Sequence, residues 1–327
     1  MKILVTGSAG HLGEALMRAS RERGDEAVGL DILESACTNH VGSIVDRAFV
    51  HRFMSGVDAV LHVATLHKPH VATHRRRDFI DTNIVGTLNL LEEAVAAGVG
   101  AFVFTSTTSV FGDAMSPPAG APAAWITEDV APIPKNIYGA SKSAAEDLCQ
   151  LFHRNQDLAC IVLRTSRFFP EADDNQQVRD AFSDDNVKAN EYLYRRVAIE
   201  DVVSAHLLSL ERAPAIGFGK YVISATTPFL PEDLAQLRVD APAALRRRVP
   251  GHEAEYARLG WRMFGAIGRV YDNARARREL GWEPVYDFSR IVARLGAGEG
   301  VMTPLARVIG AKGYHDQVFA DGPFPVE

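Results

Sequence analysis

The sequence predicts a doubly wound α/β fold, a parallel sheet with helices on both faces, followed by a smaller C-terminal lobe. Three observations carry this expectation. An apolar run, Lys2–Thr6, meets a glycine turn at Gly7, Gly10 and Gly13 and passes into a helical pattern. Short apolar runs and amphipathic stretches then alternate to about residue 166, the pattern of βαβ units with right-handed crossovers. Apolar residues make up 47% of the chain and charged residues 23%, enough for a sizeable core.

Taken in order, Lys2–Thr6 is the first strand. The helical pattern runs through Leu16 to Arg23 and closes at Gly24, and Glu26–Leu30 is the second strand. Asp58–Ala64 reads as a buried strand. Thr82–Ala97 is a long amphipathic helix stopped by Gly98. Ala101–Ser106, the helix Tyr138–Arg154 and the strand Leu158–Arg164 continue the alternation. Pro170–Asn190 is polar and acidic and reads as loop. Arg196–Glu211 resumes with a short strand and a helix, and Lys220–Ala225 is one more strand. The expected division is a core domain over residues 1–166, to which 197–225 returns, and a second lobe from 167–196 and 226–327.

Composition narrows the function. The net charge of −6 argues against a nucleic-acid partner, which needs clustered Lys and Arg. The runs Arg75–Arg77 and Arg246–Arg248 are short and read first as solvated faces. Three cysteines without a CxxC spacing argue against a disulfide framework or a zinc site and suit a reducing cytoplasm. The N-terminal apolar run is too short for a signal peptide, and no run is long enough to span a membrane. His62, His67, His70 and His74 lack the companions of a metal site.

The glycine turn sits between a strand and a helix, the context in which such a motif binds a dinucleotide. Gly7 permits the tight turn, Gly10 admits the pyrophosphate, and Gly13 lets the helix pack close to the sheet. The helix N-terminus then offers free N–H groups to the phosphates. Asp31 ends the second strand, where a carboxylate accepts from ribose hydroxyls and repels a 2′-phosphate. Ile32, Leu33 and Glu34 supply no cation, so the cofactor expected is NAD rather than NADP.

Tyr138 and Lys142 stand at i and i+4, on one helix face. A free tyrosine, with a pKa of about 10, is a poor base at neutral pH. A neighbouring ammonium favours the phenolate, which then removes a proton from a substrate hydroxyl as hydride leaves for NAD. The run Thr105-Ser106-Thr107-Thr108-Ser109 places hydroxyls at a strand's C-terminal edge, facing the ligand crevice of such a sheet.

Together these motifs resemble the extended short-chain dehydrogenases/reductases, the NAD-dependent epimerase/dehydratase family, over nearly the whole chain. The matching residues are Gly7, Gly10, Gly13, Asp31, the run Asp58–Ala64, Asn83 with Gly86 and Thr87, the hydroxyl run ending at Val110-Phe111-Gly112, Tyr138 with Lys142, Leu163-Arg164, and Ala276–Trp282. The resemblance implies a Rossmann domain with a C-terminal substrate-binding lobe. It implies Tyr138, Lys142 and Thr107 as catalytic residues. For the cofactor it implies the loop Gly7, Ala9, Gly10, His11, Leu12 and Gly13, with Asp31, Ser43 and Ile44 near adenine. Val63, Ala64, Thr65, Asn83, Thr105 and Phe168 would complete that site. It also implies a homodimer built on the helices Thr82–Ala97 and Tyr138–Arg154, whose apolar residues, such as Leu148, Leu151 and Phe152, exceed one core face.

The chain departs from the family pattern in three places. Thr108-Ser109 follows Thr107 where sugar-nucleotide dehydratases carry Asp-Glu, which speaks against dehydration. Arg167 replaces an Asn of nucleotide-sugar epimerases. Tyr194 occupies the place of an Arg, with Arg195 and Arg196 just beyond. The run Ser166–Glu171 is also similar to that of uronate dehydrogenases. His67, Thr108, Arg167 and Arg196 are the expected substrate contacts. The expected activity is an NAD-dependent oxidoreductase or epimerase acting on a sugar or nucleotide-sugar hydroxyl. A free sugar-acid dehydrogenase and a non-catalytic NAD sensor are the alternatives.

Overall fold

The computed structural model describes residues 1–313 and 319; the end of the expected second lobe, 314–318 and 320–327, lies outside the described residues. The strands are β1 (Lys2–Thr6), β2 (Glu26–Asp31), β3 (His40–Val41), β4 (Ala59–His62), β5 (Ala101–Thr107), β6 (Ala124–Ile126), β7 (Cys160–Thr165), β8 (Phe218–Ile223) and β9 (Arg269–Tyr271). The helices of the first half are α1 (His11–Glu22), α2 (Arg47–Met54), α3 (Arg76–Phe79), α4 (Gly86–Ala97) and α5 (Ile137–Gln156). Then come α6 (Gln176–Ala181), α7 (Asp184–Glu191), α8 (Ile199–Ile216), α9 (Leu234–Leu237), α10 (Ala241–Arg248), α11 (His252–Leu259), α12 (Phe288–Gly296) and α13 (Pro304–Ile309).

Seven strands form one parallel sheet in the order β3-β2-β1-β4-β5-β7-β8. Alternate residues of each central strand feed two cores, as expected for a sheet covered on both faces. Ile3, Val5, Val103, Ile161 and Leu163 pack with α1 and α8. Leu4, Phe102, Phe104, Cys160 and Val162 pack with α2, α4 and α5. From β1 the chain steps outward to β2 and β3, then crosses back to β4 on the other side of β1 and steps outward again. The strand order therefore reverses at the C-terminal ends of β1 and β4, where open α/β sheets bind ligands.

The second lobe has its own core, in which Ala189, Leu193, Leu245, Tyr256, Phe288 and Ile291 meet. A two-stranded pair, β6 with β9, joins the segment after β5 to this lobe.

Three expectations need correction. Pro170–Asn190 is helical rather than loop, carrying α6 and α7. Its polarity hid the helices, because Asn175 and Ser183 cap them and the Asn186 and Asn190 amides reach the Arg262 carbonyl. The short strand expected at Arg196 is a single bridge to Arg167. The helix expected from Thr82 starts earlier, as α3, and enters α4 through a widened π turn over Ile80–Val85. Of the apolar residues expected on the dimer face, Phe152 is buried in the sheet core and Leu151 stands exposed.

Candidate active site

A cavity of about 940 Å³ opens along the C-terminal ends of β1, β2, β4, β5 and β7. That is near the upper end for small-molecule pockets and leaves room for more than one ligand. Gly7, Ala9, Gly10, His11, Leu12, Asp31, Ser43, Ile44, Val63, Ala64, Thr65, Thr105 and Phe168 line one part of it. Thr107, Thr108, Tyr138, His67 and Arg167 line the rest, with Lys68, Arg195, Arg269 and Tyr271. Gly13, Asn83, Lys142 and Arg196, expected at the site, are not among the lining residues.

Each of those four lies just behind the wall. A Cβ at Gly13 would fall 1.8 Å from the Gly7 carbonyl oxygen, so only glycine lets α1 approach the turn. Gly7 itself adopts φ of +73°, and a Cβ there would sit 2.8 Å from the Ala64 nitrogen. The loop residue Ala9 donates its N–H to Asp31 Oδ2 at 2.9 Å, and Leu33 donates to Oδ1 at 2.9 Å. Asp31 thus clamps the turn to the end of β2 and presents its carboxylate to the cavity. Added Cβ atoms at Gly7 and Gly13 would overlap backbone, so glycine is what keeps the turn tight against the start of α1, and the residues present fit a dinucleotide.

Asn83 sits in the π turn and is buried. Its amide donates to the Leu66 carbonyl and to Ser141 Oγ at 2.9 Å, while its oxygen accepts from the Leu66 N–H at 2.8 Å and from Thr65 Oγ1. It therefore fastens the β4 loop to α5. A buried relay supports the same loop. Thr6 Oγ1 accepts from the Val63 and Ala64 N–H groups and donates to His62 Nδ1. The opposite ring nitrogen of His62 donates to Thr87 Oγ1, which donates to the Asn83 carbonyl. Burial and the nearby Lys142 hold His62 well below the usual histidine range, so it is neutral.

Tyr138 and Lys142 lie on the first turns of α5, which Asn136 caps by accepting from the Gly139 N–H. Tyr138 is buried beside the Thr107 side chain, and its ring lies 5.1 Å from that of His67. Burial pushes the phenol above its ordinary value, and the nearby Thr107 hydroxyl works against that. Burial draws Lys142 down to about 7, with its ammonium 4.0 Å over the Phe104 ring. Among the protein's own groups, then, burial opposes the activation that the Tyr-Lys spacing suggested.

The hydroxyl run divides by partner. Ser106 donates to Glu146 at 2.6 Å, within a buried pair that Glu146 forms with Arg164. Thr105 bonds His206 Nε2 at 2.7 Å, and burial takes His206 down to about 4. Thr107 is the member aimed at Tyr138. On the opposite wall, Arg167 donates to Asp174 and to the carbonyls of Glu171 and Ala172. Arg196 donates to Glu191 and the Phe169 carbonyl, which makes it a strut of the wall. Arg269 and Tyr271, lining residues from the far lobe, escaped the sequence reading, because no motif marks them. Glu171, at the end of the Ser166–Glu171 run, holds His11 at 2.8 Å through its carboxylate. Among the described residues no group of three or more His, Cys, Asp or Glu is arranged to hold a metal, and no helix is long and apolar enough to cross a membrane.

These features define a dinucleotide-binding α/β fold whose cavity carries Tyr138 on its wall, with Lys142 one turn further along α5. The model of the NAD dependent epimerase/dehydratase family matches residues 3–223, and the chain belongs to that family, whose cofactor is NAD. The UDP-glucose 4-epimerase of Erwinia amylovora is 30% identical over 182 residues, a match spanning 50% of this chain and 52% of that protein. The dTDP-glucose 4,6-dehydratase of Streptomyces antibioticus is 28% identical over 335 residues, 90% of this chain and 91% of its own length. A short-chain dehydrogenase/reductase superfamily protein from Agrobacterium tumefaciens, solved with bound NAD, shares the fold. Its TM-score is 0.64, with 23% identity, covering 91% of this chain and 96% of that one.

Proposed function

We propose that this protein is an NAD-dependent oxidoreductase or epimerase acting on a hydroxyl of a sugar or nucleotide-sugar, with Tyr138 as the general acid/base. The observation that carries this reading is the placement of Tyr138 and Thr107 together in the cavity wall, with Lys142 one turn further along α5. NAD, when bound, accepts the hydride. Tyr138 takes the proton from the substrate hydroxyl, and Thr107 orients that hydroxyl. Lys142, when charged, would lower the cost of the phenolate and hold positive charge behind the wall that would face the cofactor. His67, Thr108 and Arg167 border the substrate, with Arg196 acting through the wall behind them. The Thr108-Ser109 pair after Thr107 lacks the acid and base of water loss, which favours oxidation or epimerisation.

A second reading, a dehydrogenase of a free sugar acid, is favoured by the Ser166–Glu171 run. Ser166 lines the cavity with a buried hydroxyl that has no hydrogen-bond partner. We also read the protein as a cytoplasmic homodimer built on α4 and α5; light scattering should give twice the chain mass, and a monomer mass rejects this.

Incubation with NAD and a panel of uronates, aldonates and UDP-sugars, followed by NADH absorbance and product analysis, separates net oxidation from epimerisation. On the substrate so found, Tyr138→Phe should lose turnover by about 10²–10⁴-fold, the range for a positioned acid/base, while its NAD affinity is kept. Near-normal turnover in that variant rejects Tyr138 as the catalytic group.

A further inference from the structure

The cations lining the substrate part of the cavity differ in how their charge is spent. Arg167 holds Asp174, and Arg195 pairs with Asp173 and Glu191. Lys68 shares Asp174 at 3.3 Å. Arg269 is different. Its guanidinium lies 5.7 Å from the ring centres of both Tyr194 and Tyr271, and its Nε donates to the Tyr271 hydroxyl at 3.1 Å. Among the described residues no carboxylate comes within ion-pair distance of it. The nearest acidic neighbour along the chain, Asp272, is occupied by the Trp125 indole N–H and the Ala274 N–H.

We propose that Arg269 is the specificity-determining residue that anchors an oxyanion of the substrate, a phosphate or a carboxylate. This rests on the reading of the cavity as a sugar-binding active site and assigns its substrate class. An arginine left without a carboxylate on a cavity wall keeps its full attraction for an anion, and the terminal nitrogens of its fork match two oxygens of one phosphate or carboxylate. The two tyrosine rings and the Tyr271 hydroxyl hold the fork in place before any ligand arrives, which lowers the ordering cost of binding. Tyr271 is itself fixed, donating to Met115 Sδ at 3.0 Å, and β9 is pinned to β6. A second cation on the same wall, Lys135, is exposed and lies 3.3 Å from Asp113, so it adds less. A neutral sugar would leave Arg269 desolvated and unpaired, which selects against it.

The test is calorimetric binding to the NAD-loaded protein, with UDP, UDP-glucose, glucuronate and glucose as probes. UDP-glucose or glucuronate should bind at least about tenfold more tightly than glucose. Arg269→Met, which keeps the stem between the two rings, should weaken that binding by about 10- to 100-fold, the size of a lost charge-assisted bond, and leave NAD affinity unchanged. Arg269→Lys should fall between, because it restores charge without the fork. Binding of UDP that is equally sensitive to Arg269→Met assigns the anchor to phosphate; glucuronate bound while UDP is not assigns it to carboxylate. The same titrations on Tyr138→Phe protein need no turnover, so they stand whether or not Tyr138 is the catalytic group. Unchanged affinity in Arg269→Met, glucose bound as tightly as the oxyanions, or no oxyanion bound at all overturns the proposal.

Discussion

The cofactor part of the cavity is made largely of backbone, and the substrate part of side chains. Around Gly7 and Gly13 the walls are peptide groups in contact, where even one added methyl carbon would overlap an oxygen or nitrogen. Asp31 holds that turn through two main-chain N–H groups. Across the cavity, Arg167, Arg195 and Arg196 are held by carboxylates of neighbouring residues, the shared Glu191 above all. Three arginines hold Glu191 down to about 2, against a burial that would raise it. Backbone walls tolerate almost no change of residue. Walls of long paired side chains can be rebuilt one charge at a time, so substrate choice can vary while the cofactor stays the same.

The strongest break of this contrast is Gly13→Ala. Its methyl would stand 1.8 Å from the Gly7 oxygen, and no side-chain rotation relieves a clash with backbone. We expect NAD binding to be lost in calorimetry, with a stability loss above the about 1–3 kcal/mol usual for overpacking. Arg167→Ala, on the other wall, should leave NAD affinity within about twofold. A Gly13→Ala protein that binds NAD normally would remove the contrast.

A pH effect of intermediate size belongs to the buried contact behind the cavity wall, where Thr105 of β5 meets His206 of α8. Burial takes His206 to about 4 in the folded protein, below its ordinary value of 6.5. The unfolded chain therefore binds a proton first as pH falls. Stability from the neutral ring is complete above pH 6.5 and declines as pH drops toward 4, by roughly 3 kcal/mol at most from this group. Urea midpoints between pH 7.5 and 4.5 should show this slope, and His206→Gln should flatten it; an unaltered slope in the variant assigns the loss to other groups.

The smallest effect sharpens the role of Asp31. Asp31→Asn keeps an acceptor for one of the two N–H groups and removes the negative charge. NAD affinity should fall by only a few-fold, while the preference over NADP should shrink by about tenfold, a change of roughly 1.4 kcal/mol. Equal affinities for the two cofactors in the unmodified protein would show that Asp31 does not discriminate between them.

Much of this was legible in local sequence. Gly7, Gly10 and Gly13 between a strand and a helix, Asp31 at a strand end, and Tyr138 with Lys142 are spacings along one chain segment. A local backbone geometry enforces each of them. The helices α6 and α7 were missed because the lobe around them buries polar residues that, read locally, look like loop; Asn186 and Asn190 become helical core through Arg262, far away in sequence. The family relationship bears out the cofactor that Asp31 at the strand end led the sequence to expect, NAD.

Sequence alone therefore indicated the alternation of strands and helices, the tight glycine turn, and the placing of Tyr138 and Lys142 on one helix face, because these depend on residues within a turn or two of each other. Tertiary packing decided the rest. It set Lys142 near 7 and raised Tyr138, since desolvation is a property of everything packed around a group. It also sorted the arginines, spending Arg167 and Arg195 on buried carboxylates while bringing Arg269, from a strand in the other lobe, to the same cavity with no carboxylate beside it among the described residues. Which cation is left to meet a ligand depends on which carboxylates the fold delivers beside the others, and no stretch of sequence contains that information.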